Sequence, residues 1–320
     1  MQQLYDPLIE RDLAAIPEAV RHFREEHSSD ELFLAIARFA LLAYAPSQHA
    51  KHALLACLAV HDLREELGER FDEAVTELAI YAAGSRQPWS EPPILDAPAL
   101  DDAQSGERSE LLAAIEAGDR HRGERWLAKR VDDPSLAHDY FAAAADDLED
   151  LGHKLIVAAA AWRLVPILGE RGKYATLRVG IWEMTAYRGP RLSPADGMPA
   201  EELLPALVEE AIAARGSLES MHAVFLLEAA LSTGDAAVLR RVCAAFGVRR
   251  RMSPLSKRRL MSPHSEIIYR YARDYAQCLK AHAVAKRLRP RFPDLPLEAF
   301  VAAAHENLEQ TPSFEDWSFA

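Results

Sequence analysis

The sequence predicts an all-α fold, a single multi-helix domain whose buried apolar helices converge on a histidine-lined centre. Most of the chain consists of Ala, Leu, Glu and Arg, which are strong helix formers. Apolar residues recur at three- and four-residue spacing, with little of the alternation that is typical of strands. Three apolar runs, KHALLACLAV, HKLIVAAAAW and HAVFLLEAAL, have no polar face, so other helices should surround them.

Local start signals place the helices along the chain. Ser29 is followed by two acidic residues, Ser47 follows a proline and Asp235 precedes an apolar stretch, and each pattern favours a helix N-terminus. Later helices begin after Gly152 and Ser217, where histidine-led runs start. The predicted helices span 17–27, 29–43, 47–67, 71–83, 106–117, 120–130, 134–151, 153–168, 175–187, 200–214, 217–231, 236–245, 265–288 and 297–308.

One long connection interrupts this pattern between residues 86 and 106, where Pro, Asp and Ser are dense. We expect it to lie inside a single domain that covers residues 1–320. The reason is that the N-terminal quarter carries one histidine-led helix while its counterparts lie far downstream, so that these helices should share one core.

Charge and cysteine usage limit the partners and the compartment. The chain has 320 residues and a formal net charge of -12, which disfavours nucleic acid as a partner. A basic stretch between residues 240 and 259 indicates either a patch for an acidic partner or a solvated helix end. Cys57, Cys243 and Cys278 lie far apart among apolar neighbours and favour reduced thiols. Without an export signal or an uncharged membrane-length segment, these features predict a cytoplasmic protein outside the membrane.

The histidines that begin the apolar helices are the main candidates for chemistry. An imidazole that enters a buried helix needs a hydrogen-bond partner, a proton or a metal to offset its desolvation. Several such rings from distant helices predict a histidine-rich metal site that suits iron, copper or zinc. The candidate ligands are His49, His52, His153, His222, His282 and Lys280.

Two of these assignments carry conditions. Lys280 would bind a metal only if it were deprotonated or carbamylated; otherwise its amine extends toward solvent. Each histidine taken alone is more often a capping or core residue, so the recurrence carries the prediction. Glu228, the charge inside the third apolar run, could be a ligand, a partner that orients His222 or a salt-bridged core carboxylate.

Several common catalytic patterns do not occur in the sequence. The chain contains no GxGxxG after a strand, no GxxxxGK[ST], no HExxH, no GxSxG and no CxxC. Their absence disfavours dinucleotide-binding folds of the Rossmann type, P-loop enzymes, zincins, α/β-hydrolases and thiol-based sites.

The segments QHAKHALLACLAV, LGHKLIVAAAAWRL and SLESMHAVFLLEAAL resemble the histidine-led helices of questin oxidase-like proteins. On this resemblance His49 and His52 match a first motif, His153 a second and His222 a third. The chain departs from the family at three positions: Lys154 replaces a proline, Val157 replaces a second histidine, and Gln277 replaces a histidine three residues before Lys280.

The resemblance implies an all-α oxygenase that acts on fused aromatic polyketides, as in secondary metabolism, and inserts oxygen beside a ketone or cleaves a ring. It implies a histidine-ligated non-haem iron, and NADPH as a second cofactor in some members. The expected function is therefore dioxygen-dependent oxidation of an aromatic small molecule at iron. Two alternatives stay open: a non-catalytic helical scaffold with structural histidines, and a zinc or copper enzyme that uses the same residues.

Overall fold

The structure, a computed structural model, describes residues 2–46, 50–85, 106–189, 197–248 and 277–309. Within these ranges all regular secondary structure is helical, which confirms the predicted fold class. The helices are α1 (Gln2–Glu10), α2 (Ile16–Glu26), α3 (Ser29–Leu42), α4 (Ala50–Asp62), α5 (Arg64–Leu67), α6 (Phe71–Ser85), α7 (Arg108–Ala117), α8 (Arg120–Arg130), α9 (Leu136–Ala144), α10 (His153–Leu168), α11 (Lys173–Ala186), α12 (Ala200–Ala213), α13 (Leu218–Ser232), α14 (Ala236–Val248), α15 (277–288) and α16 (Leu297–Glu309).

The three histidine-led helices are central, as their apolar circumference predicts. Helix α10 packs against α4, α11 and α13, and its first nine side chains are all buried. In α4 every residue from Ala53 to Val60 is buried, and in α13 burial continues from Ser220 to Ala230. A helix that is buried on all sides has no face in contact with water, and this explains why the apolar runs contain no polar stripe.

The hydrophobic core is continuous from the first helix to the last. Leu4 in α1, Ala56 in α4, Val157 in α10 and Phe300 in α16 belong to one cluster of buried side chains. The N-terminal quarter therefore shares its core with the downstream helices, as we expected from the distribution of the histidine-led runs.

Three differences from the predicted helices exceed a shift of a few residues at a helix end. Helix α1 was not predicted, because Pro7 inside it obscures the spacing of its two buried leucines. The predicted helix 47–67 is interrupted at Leu63, after which α5 forms a separate turn. The predicted helix 134–151 spans only Leu136–Ala144. Its last two predicted residues, Asp150 and Leu151, adopt positive φ values that no right-handed helix accommodates.

Some predicted features lie outside the described residues. These are His49, residues 86–105 of the long connection, residues 249–259 of the basic stretch and residues 265–276 of the penultimate helix.

One described segment, Asp150–Leu168, is long and apolar enough to cross a membrane by length and composition. It is mostly buried against other helices of the same domain, with 78% of its most apolar window inside the structure. This burial places the segment in the core of the domain.

Candidate metal centre

Three of the predicted ligands meet in the core: His153 and His222 are buried and His52 is half-buried. We call His52, His153 and His222 the buried triad. His52 lies near the start of α4, His153 is the first residue of α10 and His222 lies in the first turns of α13. One ligand nitrogen from each ring lies within 4.8 Å of the others. The ring centroids of His153 and His222 are 4.8 Å apart, and that of His52 lies 5.1 Å from His153.

Hydrogen bonds fix which nitrogen two of these rings present. Nδ1 of His153 donates to the carbonyl oxygen of Asp150 at 2.5 Å, and Nδ1 of His222 donates to that of Leu218 at 2.8 Å. Because Nδ1 carries the proton in both neutral rings, Nε2 carries the lone pair. Both Nε2 atoms are buried and have no hydrogen-bond partner among the residues that the structure describes. A buried acceptor without a partner is costly, so each ring has an unmet demand for a donor or a metal ion.

The surroundings keep all three rings neutral. Burial lowers the pKa of His52, His153 and His222 well below the ordinary histidine value. Neighbouring cations add to this effect, Lys280 beside His52 and Lys51 beside His153. Neutral imidazole is the form that binds metals, so the triad is ready to coordinate at neutral pH.

Lys280 adjoins the triad from α15. Its Nζ lies 3.1 Å from Nδ1 of His52 and 5.3 Å from the ring centroid of Phe225. Burial, with repulsion from Lys51, lowers the pKa of Lys280 to about 7. A substantial fraction of the amine is therefore neutral at physiological pH. Lys280 thus meets the condition stated above that a lysine must be deprotonated to bind a metal.

The donor set fits a transition-metal ion. Nitrogen ligands lie about 2.1 Å from zinc or similar ions, so neighbouring ligands on one ion are roughly 3 Å apart. The 3.1 Å between Lys280 and His52 matches that spacing, whereas the 4.8 Å bound for the triad exceeds it. Ion binding would therefore draw the three rings inward by small side-chain rotations. Imidazole and amine nitrogens suit iron, copper or zinc and do not suit magnesium or calcium.

A cleft leads toward this centre between the four helices that carry the candidate ligands. It is narrow, with a cavity volume of about 40 Å³ for the centres of water-sized molecules. Lys280 and Phe225 line the cleft, and both also touch rings of the triad. Aliphatic side chains supply most of the remaining wall: Leu55, Leu58, Ala59, Ile156, Ala159, Ala160, Ala229, Ala283 and Val284.

An ion network lies along the same cleft and accounts for Glu228. The guanidinium of Arg287 donates to both carboxylate oxygens of Glu228, at 2.7 and 2.8 Å, and to Asp62 at 2.6 Å. Arg163 donates to Asp62 at 3.2 Å. Glu228 is therefore the salt-bridged core carboxylate among the three roles that the sequence allowed.

A second buried ion network touches the triad on another side, and it was not predicted from the sequence. Lys51 donates to the carboxylates of Asp150 and Glu183, and Glu183 also accepts from the hydroxyls of Tyr44 and Tyr187. Apart from Tyr187 and Glu183, which lie one helical turn apart, the paired residues are separated by 99 to 139 residues in sequence. The one available signal was the presence of charged residues inside apolar helices, as at Glu183 in α11.

The structure does not bring His282 into this cluster. His282 is exposed on α15, where its Nε2 lies 3.0 Å from Nε2 of His305 on α16. Lys280 and His282 are two residues apart, so they face nearly opposite sides of the helix. Val157, at the position of a family histidine, is buried in the core, and Gln277 is buried with its Nε2 unpaired within the described structure.

Comparison of the chain with protein-family models, with curated proteins and with solved structures finds no match.

Proposed function

We propose that the protein is a metal-dependent oxidoreductase whose buried triad holds a single iron ion, with Lys280 as a further nitrogen ligand. The observation that carries the proposal is the pair of buried Nε2 atoms on His153 and His222, which have no hydrogen-bond partner in the described part of the chain. Their rings belong to a cluster with His52 in which one ligand nitrogen of each ring lies within 4.8 Å of the others. The resemblance to questin oxidase-like proteins supports iron among the ions that this donor set suits.

The chain's own residues provide a dry site for an apolar substrate. The aliphatic wall of the cleft and the ring of Phe225 favour a flat, uncharged aromatic molecule, and the two arginines in the cleft are balanced by Glu228 and Asp62. When bound, ferrous iron would activate dioxygen by transfer of one electron, and the aromatic substrate, together with a reductant such as NADPH where one oxygen atom is inserted, would supply the remaining electrons. Neutral Lys280 lies between the cleft and His52, where it can donate a hydrogen bond to a substrate oxygen.

The nearby carboxylates favour oxidation over hydrolysis. Metal-assisted hydrolysis usually needs a free general base beside the metal. Among the described residues, Glu228 is engaged by Arg287, and Asp150 is engaged by Lys51. A zinc or copper enzyme at the same histidines is the competing hypothesis, and a metal-free helical scaffold is the other. We place the proposed oxidase in the cytoplasm, in line with its buried free cysteines.

The test is metal loading of the full chain purified without a histidine tag. After anaerobic incubation with ferrous iron and desalting, we expect near-stoichiometric iron, and oxygen consumption when aromatic ketones or phenols are added. His222→Ala should lose the iron, and His282→Ala should keep it. Preferential retention of zinc or copper would support the competing enzyme, and retention of no metal would overturn the proposal.

A further inference from the structure

The turn that precedes His153 has an unusual backbone. Asp150, Leu151 and Gly152 have φ values of 50°, 59° and 77°, so three consecutive residues adopt the left-handed conformation. Glycine accepts this region freely, but Asp and Leu rarely do. Such a conformation persists only where the surrounding structure holds it, and it occurs preferentially at functional sites.

The contacts that hold the turn come from three helices. The Asp150 carboxylate is ion-paired with Lys51 of α4, and Lys51 also donates to Glu183 of α11 at 3.2 Å. Burial opposes the positive charge of Lys51, but the two carboxylates outweigh it and raise its pKa above the ordinary lysine value. A side chain on Gly152 would lie 2.7 Å from Leu226 of α13, so the turn is also packed tightly against the helix that carries His222.

The same turn directs the ring of His153. The carbonyl of Asp150 accepts the Nδ1 proton at 2.5 Å, and one carboxylate oxygen lies 3.4 Å from the same nitrogen. Both acceptors belong to one residue, whose backbone bends back so that they face the ring. Partners that bind the second nitrogen of a metal-ligating histidine fix its tautomer and orientation, and their loss typically weakens metal binding by roughly 10- to 100-fold.

We propose that Asp150, held by Lys51, which Glu183 in turn holds, is a positioning residue for His153. It locks the Nδ1 proton of His153 and aims Nε2 at the centre of the buried triad. This inference rests on the proposed metal function for its affinity readout, but the orientation of the ring is a property of the metal-free chain as well.

A neighbouring ion pair offers a matched control. Lys154 and Asp147 are also buried, and their Nζ and Oδ2 atoms are 2.5 Å apart. Nζ of Lys154 lies 5.0 Å from the ring centroid of Tyr187, as Lys51 lies over the same ring at 5.7 Å. Both pairs are therefore buried lysine–aspartate ion pairs. In the described structure Asp150 contacts His153, which makes Asp147 a matched control.

The first experiment titrates cobalt(II) into the full chain and follows its visible absorption. Asp150→Asn keeps the shape of the side chain and a preference for left-handed backbone but removes the charge that Lys51 holds. We expect a roughly 10- to 100-fold weaker cobalt affinity and an altered spectrum. The control Asp147→Asn should change the affinity by less than about threefold and leave the spectrum unchanged, because outer-partner effects require contact with the ligand.

The second experiment keeps the proposal testable if no metal binds. Nitrogen-15 NMR of the histidine rings in the metal-free chain should show His153 with a slowly exchanging Nδ1 proton. Asp150→Asn should broaden or lose this signal, whereas Asp147→Asn should retain it. Equal behaviour of the two variants in both experiments would overturn the positioning role. Absence of cobalt binding by the wild-type chain would contradict the metal function alone.

Discussion

The described structure contains two clusters of histidine rings, and the surroundings of the two clusters differ. The buried triad lies among apolar helices with two unpartnered nitrogens. His282 and His305 meet on the surface at 3.0 Å, where each ring nitrogen can bond to the other or to water. Proximity alone therefore does not make a metal centre. Burial removes water as a partner, and it leaves the triad with lone pairs that only a donor or an ion can satisfy.

The largest expected effect is a loss of stability in acid that the triad causes in metal-free protein. The pKa of each triad ring is low in the folded state, so below about pH 6.5 the unfolded chain binds more protons than the folded chain. The free energy of unfolding should therefore decrease as the pH is lowered, by up to roughly 4 kcal/mol per pH unit for three rings. Urea denaturation between pH 7 and 5 measures this slope. In His222→Leu the slope should drop by about one third, and an unchanged slope would contradict the neutral triad.

The next effect separates the two groups by metal affinity. His222→Ala removes a ligand and should weaken cobalt or iron binding by more than about 100-fold, beyond the range expected for an outer partner. Calorimetric titration against wild type measures the difference. His282→Ala is the control and should bind as wild type does. If His282→Ala showed the larger loss, the surface pair would be the metal site.

A smaller effect has the opposite sign. Leucine at position 222 removes a buried nitrogen that has no partner, so His222→Leu should stabilise the metal-free chain by about 1 kcal/mol. The same variant cannot bind metal through that position. Chemical denaturation at pH 8 measures the gain, since the histidines are neutral there. Destabilisation comparable to a core cavity would indicate that the ring is held by contacts that leucine cannot replace.

The smallest effect belongs to the surface pair. Because His282 is exposed, His282→Leu should change the free energy of unfolding by less than about 0.5 kcal/mol. Thermal unfolding of this variant beside His222→Leu tests whether burial, and not ring pairing, distinguishes the two groups. A loss above 2 kcal/mol would show that the surface pair contributes to the core.

The sequence predicted the triad because its signal is local. A histidine followed by a run of apolar residues indicates a buried helix with a polar residue near its N-terminus. When three such helices pack in one core, only a few arrangements are available, and these bring the histidines close together. His282 did not join them, and its two-residue offset from Lys280 already places it on another face of α15. The helical spacing from Lys280 was therefore a better guide to the position of His282 than the apolar residues beside it.

The ion network behind the triad could not be predicted in the same way. Lys51 finds Asp150 and Glu183 across 99 and 132 residues, and no local pattern specifies which charges pair inside a core. The break before α10 was missed for a related reason. Leu151 has no preference for the left-handed conformation and Asp150 has only a slight one, so tertiary contacts impose it.

The most direct test of the metal centre is anomalous X-ray diffraction from crystals of the full chain soaked with cobalt(II) or ferrous iron. We predict a single strong peak in the core, bounded by Nε2 of His153 and Nε2 of His222 and adjoining the ring of His52. A peak at His282 and His305 alone, or no peak in the core at saturating metal, would contradict the assignment.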